Sequence, residues 1–112
     1  MSIYLKKNAD RKAYRIRKQG ITEKTLEKWL KREIEALGGL CLKLQTPGMT
    51  GIPDRLVLLP SGKVWFVEVK KLNGVVSLRQ RKVMSQLRDL GFRAEVIQSL
   101  SDIHKHFNEL LK

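Results

Sequence analysis

The stretch GIPDRLVLLPSGKVWFVEVK, residues 51–70, predicts the central structural unit around which the rest of the chain is arranged. The apolar run Leu56–Leu59 predicts one strand, and the β-branched and aromatic run Val64–Lys70 predicts a second. Between them, Pro60–Lys63 supplies residues that are typical of a turn. The second strand is apolar on both faces, which is typical of a strand buried in a sheet. We therefore expect two consecutive strands at the centre of the fold.

Charged residues at the ends of these strands predict the chemistry of the site. Asp54 precedes the first strand, and Glu68 and Lys70 share one face of the second because side chains alternate along a strand. Mg²⁺ prefers carboxylate and carbonyl oxygens, so Asp54, Glu68 and the backbone carbonyl of Val69 are candidate ligands. Lys70 is a candidate to orient the attacking water or to hold the phosphate. The pattern predicts phosphodiester chemistry; the alternative is a turn aspartate beside a surface Glu–Lys pair.

Several pieces of the chain together resemble a known family. Pro53-Asp54 followed by Glu68-Val69-Lys70 resembles the PD-(D/E)xK nuclease motif. More closely, the chain resembles the virus-type replication-repair nuclease (VRR-NUC) domain, from Glu23 to about Ile103. The pieces that carry this resemblance are Gly38-Gly39, Gly51 to Arg55, Phe66 to Lys70, Ser77 to Gln80 and Leu90-Gly91. All of them occur in order, which makes the resemblance specific, and the segment before Thr22 falls outside it.

The resemblance implies a Mg²⁺- or Mn²⁺-dependent nuclease that acts on branched or structured DNA. It also implies a glutamate on the first helix, which matches Glu23 by its position relative to Gly38. Glu27 is the second choice for this role, and the helical wheel leaves Glu33 open as well. Gln80 is placed near the catalytic centre by the same resemblance. The expected catalytic set is therefore Asp54, Glu68 and Lys70, completed by Glu23 and Gln80, with Glu23 as a further candidate metal ligand.

Composition restricts the class of protein. A chain of 112 residues with 42% hydrophobic residues suits one small domain. The net charge of +12 favours a polyanionic partner, most often nucleic acid. The lone cysteine, Cys41, allows no intramolecular disulfide, which fits a reducing compartment. No apolar run is long enough for a membrane span or a signal peptide, so we expect a cytoplasmic protein, in a bacterium or in the host cell of a phage.

The first twenty residues differ from the rest in charge. They carry seven lysine and arginine residues against a single aspartate, with Tyr4, Tyr14 and Ile16 interleaved. The sequence predicts a basic N-terminal arm over residues 1–20, followed by a nuclease domain over residues 21–112. The arm is expected to bind DNA phosphates, mainly through Arg15, Arg17 and Lys18. A solvated, flexible tail is the alternative.

The remaining residues predict the other elements. Thr22 is expected to cap a first helix that ends at Gly38-Gly39, before a strand over Leu40–Leu44. Ser77 and Gln80 have the spacing of a capping box at the start of a second helix. The apolar side chains of this helix that are expected to face the core are Val83, Met84, Leu87 and Leu90. A strand over Ala94–Ile97 and a helix capped by Ser101 complete the chain.

Basic residues around the predicted site are expected to grip phosphate without reading bases. Beside the arm, the candidate DNA contacts are Lys43, Arg55, Lys71, Arg79, Arg81 and Lys82.

The fold class that follows is mixed α/β (α+β). We expect a three-layer PD-(D/E)xK restriction-endonuclease-like core, with the order helix, three strands, helix, strand, helix around a mixed sheet. No glycine-rich nucleotide loop is present, so no nucleotide cofactor is expected.

The expected function is a Mg²⁺- or Mn²⁺-dependent DNA endonuclease of branched DNA. Resolution of a four-way (Holliday) junction requires two paired cuts, so a two-fold homodimer is expected. A monomeric flap or single-strand nuclease and a non-catalytic nucleic-acid-binding module are the alternatives.

Overall fold

The computed structural model describes residues 21–112, and the predicted arm with Arg15, Arg17 and Lys18 lies outside them. The described chain follows the predicted order of helix, three strands, helix, strand, helix. The elements are α1 (Glu23–Ala36), β1 (Leu40–Lys43), β2 (Arg55–Leu59), β3 (Lys63–Val69), α2 (Leu78–Asp89), β4 (Arg93–Ile97) and α3 (Leu100–Leu110), with a short 3-10 turn at Pro60–Gly62. Across this part of the chain, the helices are all too short or too polar to cross a membrane.

The sheet is mixed, as predicted. Its strand order is β1-β2-β3-β4, in which β1 and β3 are antiparallel to β2, and β4 is parallel to β3. The register places Arg55 opposite Val67. Just before β2, the Asp54 carbonyl accepts from Leu44 N–H at 2.8 Å, so the chain still lies beside the end of β1 at this residue. Continuing the register places Asp54 opposite Glu68, on the same face of the sheet.

Helices cover both faces of the sheet, which gives the expected three layers. Helices α1 and α3 pack on the face that carries Trp65, Val67 and Val69. The main core on this face consists of Leu26, Trp29, Leu30, Ile34, Val57, Leu59, Trp65, Val67, Val69, Ile97, Ile103, Phe107 and Leu110. Helix α2 lies on the opposite face, where Val83 and Met84 are buried. The site carboxylates therefore lie on the α2 face, away from the main core.

Two of the predicted helix caps are confirmed, and one is wrong. The Thr22 hydroxyl accepts from Thr25 N–H at 3.1 Å, and Ser77 forms the predicted capping box with Gln80. The last helix is capped by Ser99, which accepts from Asp102 N–H, and Ser101 lies inside its first turn. Since a Ser-x-x-Asp spacing begins at Ser99, the correct cap was readable from the sequence.

One expected core residue of α2 is also corrected. Leu90 is 73% exposed, because the helix ends at Asp89 and Leu90 is its C-terminal cap. Leu87 is only partly buried. The helix thus contacts the sheet mainly through its middle turns.

Candidate active site

Asp54 and Glu68 hold each other in place through the backbone. The Asp54 N–H donates to Glu68 Oε1 at 3.2 Å, and the Val69 N–H donates to Asp54 Oδ1 at 3.3 Å. Glu68 is only 5% exposed, and it is the one charged residue that is buried within residues 21–112. Each carboxylate thus keeps one oxygen on a neighbouring backbone amide and has its second oxygen for other partners.

The pKa of Asp54 reflects its burial and the nearby Glu68 carboxylate. Burial, and next the negative charge of Glu68, raise the pKa of Asp54 to about 6. The hydrogen bond from Val69 N–H offsets part of this rise. An aspartate whose charged form is disfavoured in this way is stabilised by any cation placed between the two carboxylates. The environment therefore favours binding of a positive ion.

Lys70 supplies the positive charge in the described part of the site. Its ammonium lies 3.4 Å from Glu68 Oε2, and both side chains are largely shielded from solvent. Because Glu68 and Lys70 are two residues apart on β3, they emerge on the same face, as the sequence predicts. The pair leaves the ammonium next to the carboxylates, where it is placed to contact a water or a phosphate oxygen.

The donor set fits a hard divalent cation held by few protein ligands. Asp54 and Glu68 offer carboxylate oxygens, which Mg²⁺ and Mn²⁺ prefer, and the Val69 carbonyl stays a predicted ligand. Within residues 21–112, no three histidine, cysteine, aspartate or glutamate side chains come together at metal-binding spacing. A cation here would thus complete its shell with backbone oxygen and water, as Mg²⁺ commonly does.

Glu23 and Glu27 approach the site without joining the carboxylate pair. Glu23 is exposed, and its Oε1 accepts from Lys71 N–H at 3.4 Å, just beyond the end of β3. Glu27 pairs with the Arg55 guanidinium at 3.1 Å. The expected role of Glu23 as a metal ligand is therefore not matched by a three-carboxylate cluster. Its observed position beside Lys71 places it at the edge of the site.

Gln80 lies in the first turn of α2, where its amide oxygen is already used. Its Oε1 accepts from Ser77 N–H at 2.9 Å, and its own N–H donates to Ser77 Oγ. This capping box accounts for the residue structurally, and its amide NH₂ group is the part left for a catalytic contact.

The loop that carries Asp54 packs against the first turn of α2 at Gly51. A Cβ at this position would lie 2.8 Å from Arg79 Cγ and 2.9 Å from the Arg79 carbonyl oxygen. The φ of Gly51 is +84°, a conformation that glycine adopts readily. Glycine at this position therefore lets the loop approach α2, and the approach positions Asp54 three residues later.

The predicted DNA contacts divide into two groups. Arg55 is engaged by Glu27, and the Arg81 guanidinium donates to the Val76 carbonyl at 3.4 Å, so both side chains have internal partners. The exposed members of the set are Lys43, Lys71, Arg79 and Lys82. Lys43 pairs with Arg55 in the sheet, which places it on the opposite face from Asp54. Lys71, just beyond the end of β3, and Arg79 and Lys82, on α2, are thus the exposed candidates that remain for contact with DNA.

Sequence reasoning missed Gln98. Its side-chain amide donates to the carbonyls of Lys71 and Leu72, at 3.4 Å and 3.2 Å, and so holds the chain that leaves the site. The residues lie 27 and 26 positions apart, and no local motif signals such a contact.

Comparison with known proteins identifies the family. The family model described as "VRR-NUC domain" matches residues 9–100, and so begins inside the predicted arm. The chain is 39% identical over 79 residues to "Putative nuclease p44" of Acyrthosiphon pisum secondary endosymbiont phage 1, covering 70% of this chain and 85% of that protein. It is also similar to a solved structure described as "VRR_NUC domain", with a TM-score of 0.71 and 37% identity, covering 79% of this chain and 97% of the other. The chain therefore belongs to the VRR-NUC domain family.

Proposed function

We propose that this protein is a metal-dependent DNA endonuclease that hydrolyses phosphodiester bonds in branched or structured DNA. The observation that carries the proposal is the adjacent Asp54 and Glu68 carboxylates with the Lys70 ammonium 3.4 Å from Glu68. Two carboxylates and a cation on one sheet face match the needs of phosphodiester hydrolysis. Membership of the VRR-NUC family and the nuclease name of the phage relative support the same reaction class.

Each residue of the site has a distinct role in this proposal. Asp54 and Glu68 hold a Mg²⁺ or Mn²⁺ ion, and the Val69 carbonyl assists. When bound, such an ion lowers the pKa of a coordinated water and neutralises charge on the phosphate. Lys70 orients the attacking water or holds a phosphate oxygen, and Glu68 fixes the position of its ammonium. The main-chain amides of Asp54 and Val69 keep the two carboxylates oriented.

DNA is the substrate that the charge of the chain favours. The net charge is +12, and Lys71, Arg79 and Lys82 are exposed on the segments that surround the carboxylates. Such residues contact phosphates, which position a duplex without reading its sequence. A non-catalytic binding module would have the same charge but would not require Asp54, Glu68 and Lys70 together.

We further propose that the protein acts as a homodimer that resolves four-way junctions. One site cuts one strand, and a two-fold dimer places two sites in matched geometry for paired cuts. The apolar side of α3 is used within the subunit, since Ile103, Phe107 and Leu110 are buried in the core. These three side chains of α3 are therefore not free to form a dimer contact. Leu40 and Leu42 on the edge strand β1 are exposed and offer apolar surface instead.

Cleavage of linear, flap, splayed and four-way DNA, with Mg²⁺ and with EDTA, tests the proposal together with light scattering at micromolar concentration. We expect metal-dependent cleavage of the junction by a dimer. Cleavage in EDTA would contradict the metal-dependent mechanism. A monomer mass with flap cleavage and an intact junction would leave the nuclease assignment standing and replace the resolvase by the flap nuclease.

A further inference from the structure

An exposed aliphatic segment directly follows the catalytic strand. In the aliphatic loop, defined as residues 72–78, Leu72 is 68% exposed, Val75 is 78% exposed and Leu78 is 81% exposed. These are three of the four most exposed large hydrophobic side chains among residues 21–112, and they fall within seven consecutive positions. Single exposed apolar residues are common on protein surfaces, but a group in one short segment indicates a contact.

The aliphatic loop is fixed at the end that is closest to the site. Glu23 accepts from Lys71 N–H, and the Gln98 side chain donates to the carbonyls of Lys71 and Leu72. The Gly74 N–H donates to the Lys71 carbonyl at 2.8 Å and closes a tight turn. A Cβ on Gly74 would lie 3.0 Å from that carbonyl oxygen, so the turn leaves little room for a side chain at this position.

The other end of the aliphatic loop is fixed as well. The capping box of Ser77 and Gln80 determines how the chain enters α2 at Leu78, and the Arg81 guanidinium donates to the Val76 carbonyl. The exposure of the three side chains is therefore a property of a held backbone. A loose segment would have been free to fold them back onto the protein.

The position of the aliphatic loop relates it to the reaction site. It begins two residues after Lys70, whose ammonium contacts Glu68, and it ends next to Arg79, against which the Asp54 loop packs at Gly51. Exposed basic residues bracket it, with Lys71 before it and Arg79 after it. Apolar side chains between phosphate-binding groups match the two surfaces of nucleic acid, the apolar base faces and the charged backbone.

We propose that the aliphatic loop is a wedge that contacts the exposed base faces at a branch point in DNA and so directs cleavage to structured substrates. The inference rests on the proposed nuclease function and specifies how that site selects its substrate. In an intact duplex the base faces are stacked, and a wedge has to unstack them before it gains contact. At a junction, flap or fork the stack is already interrupted, so the same contact has a lower energetic cost. The wedge thus favours branched over continuous DNA without reading sequence.

The test compares Leu72→Ser/Val75→Ser with the matched control Leu90→Ser/Leu111→Ser. The control likewise replaces two exposed aliphatic residues, Leu90 and Leu111, which are 73% and 49% exposed and lie outside the aliphatic loop and the site. All four positions are exposed, so folding is expected to survive both changes, and unfolding curves check this. Binding is measured in EDTA to a four-way junction and to a linear duplex of equal length, each with 2-aminopurine beside the branch or at the equivalent position.

We expect the wild type and the control to prefer the junction and to increase 2-aminopurine fluorescence there, because the base loses a stacking neighbour. The loop variant should lose about tenfold in junction affinity and the fluorescence change, with duplex affinity altered less than about twofold. A loop variant that keeps both signals, or a wild type that lacks them, overturns the wedge. A wild type that is a dimer and a loop variant that is a monomer would also overturn it, because the loop would then be a contact between protein subunits.

Cleavage separates this inference from the function on which it rests. A wild type that binds the junction with a fluorescence change in EDTA but cuts no DNA in Mg²⁺ or Mn²⁺ removes the proposed nuclease function and keeps the wedge. Metal-dependent cleavage of linear DNA at equal rates by the wild type and the loop variant, with no junction preference in either, keeps the nuclease and removes the wedge.

Discussion

Two charged clusters lie at opposite ends of the central strands, and they differ in whether the surroundings favour the charged form of a carboxylate. At the C-terminal end of β3, Asp54 N–H donates to Glu68, and the Lys70 ammonium lies 3.4 Å from Glu68 Oε2. At the start of β4, Arg93 contacts Glu109 at 2.6 Å and Glu95 at 3.2 Å, and His106 Nδ1 lies 3.1 Å from the same guanidinium nitrogen.

The pKa values reflect this difference. In the Arg93 cluster, the hydrogen bond from Arg93 lowers the pKa of Glu109, so its negative charge is favoured. In the site, burial and the neighbouring Glu68 raise the pKa of Asp54 to about 6, so its negative charge is disfavoured. A cluster that stabilises its own charges is explained as structure. A site in which burial and a like charge disfavour the charged form of Asp54 is suited to a ligand that neutralises it.

The largest expected effect is on cleavage. Asp54→Asn, Glu68→Gln and Lys70→Ala should each reduce the cleavage rate by at least about 100-fold, because each removes a charge that acts on the reacting phosphate or its ion. DNA binding in EDTA should survive. Glu109→Gln, a change of the same kind in the Arg93 cluster, should leave the rate unchanged. If all three site variants cut at the wild-type rate, the site cluster would not be catalytic and would not differ from the Arg93 cluster in function.

A second prediction concerns the loop that positions Asp54. Gly51→Ala should destabilise the fold by about 2–4 kcal/mol and reduce cleavage, because a methyl group would press on Arg79 in a backbone conformation unfavourable to alanine. Gly48→Ala is the matched control, since Gly48 has a similar φ of +82° with no atom within 4 Å of the added Cβ. The control should cost about 1 kcal/mol and leave cleavage intact. Urea unfolding measures the stabilities, and equal losses for the two variants would show that strain, rather than the contact with α2, decides the effect.

The third prediction is that a change in the Arg93 cluster affects stability and leaves cleavage unaffected. Arg93→Met should destabilise the protein by about 1 kcal/mol, chiefly through loss of the partly buried contact with Glu95. The cleavage rate at a temperature where the variant is folded should not change. A loss of activity without a loss of stability would assign this cluster to function and contradict the comparison.

An effect of similar size is expected on the pH dependence of stability in the metal-free protein. The pKa of Asp54 is raised in the folded state from 3.8 to about 6, so the folded state binds the proton more tightly, and this group destabilises the fold progressively as pH rises from about 4 through 6. Asp54→Asn removes that loss and keeps an oxygen to accept from Val69 N–H. After a discount for the solvent access of Asp54, we expect a gain of about 1 kcal/mol at pH 7.5, a rise in Tm of about 4 °C, and no gain below pH 4.

Glu109→Gln should change stability at pH 7.5 in the opposite direction to Asp54→Asn. The pKa of Glu109 is lowered in the folded state, so its stabilisation is present above its unfolded pKa and is lost as pH falls through the folded value. The variant should thus lose stability at pH 7.5 and match the wild type at low pH. Thermal melts of both variants across pH 3–8 measure the pair, and curves of the same sign would contradict the assignment of the two clusters.

Local sequence patterns were enough to predict most of the fold. Alternation placed Glu68 and Lys70 on one face, and the capping signals of Thr22 and Ser77 located two helix starts. The cap predicted at Ser101 was wrong because the Ser-x-x-Asp spacing that begins at Ser99 was overlooked. These properties depend on neighbours within a few residues, and the sequence displays them directly.

Contacts between distant segments were not predictable in the same way. Nothing local indicates that Arg55 pairs with Glu27, 28 residues away, so Arg55 looked like a free DNA contact. The position of Glu23 against Lys71, 48 residues away, likewise depends on how α1 packs on the finished sheet. The roles expected for Glu23 and Gln80 in catalysis stay predictions, because their observed partners are structural.

The hairpin of β2 and β3 has a consequence for the order in which the site assembles. Asp54, directly before β2, and Glu68, on β3, lie only 14 residues apart. The two antiparallel strands are joined by a tight turn, and hairpins form within about 10 μs. The parallel pairing of β4 with β3 requires the whole crossover through α2, and the Glu23 contact closes a loop of 48 residues, which are slower steps. We therefore expect the carboxylate pair to come into register early during folding, and the groups that border it to reach their places with the completed domain.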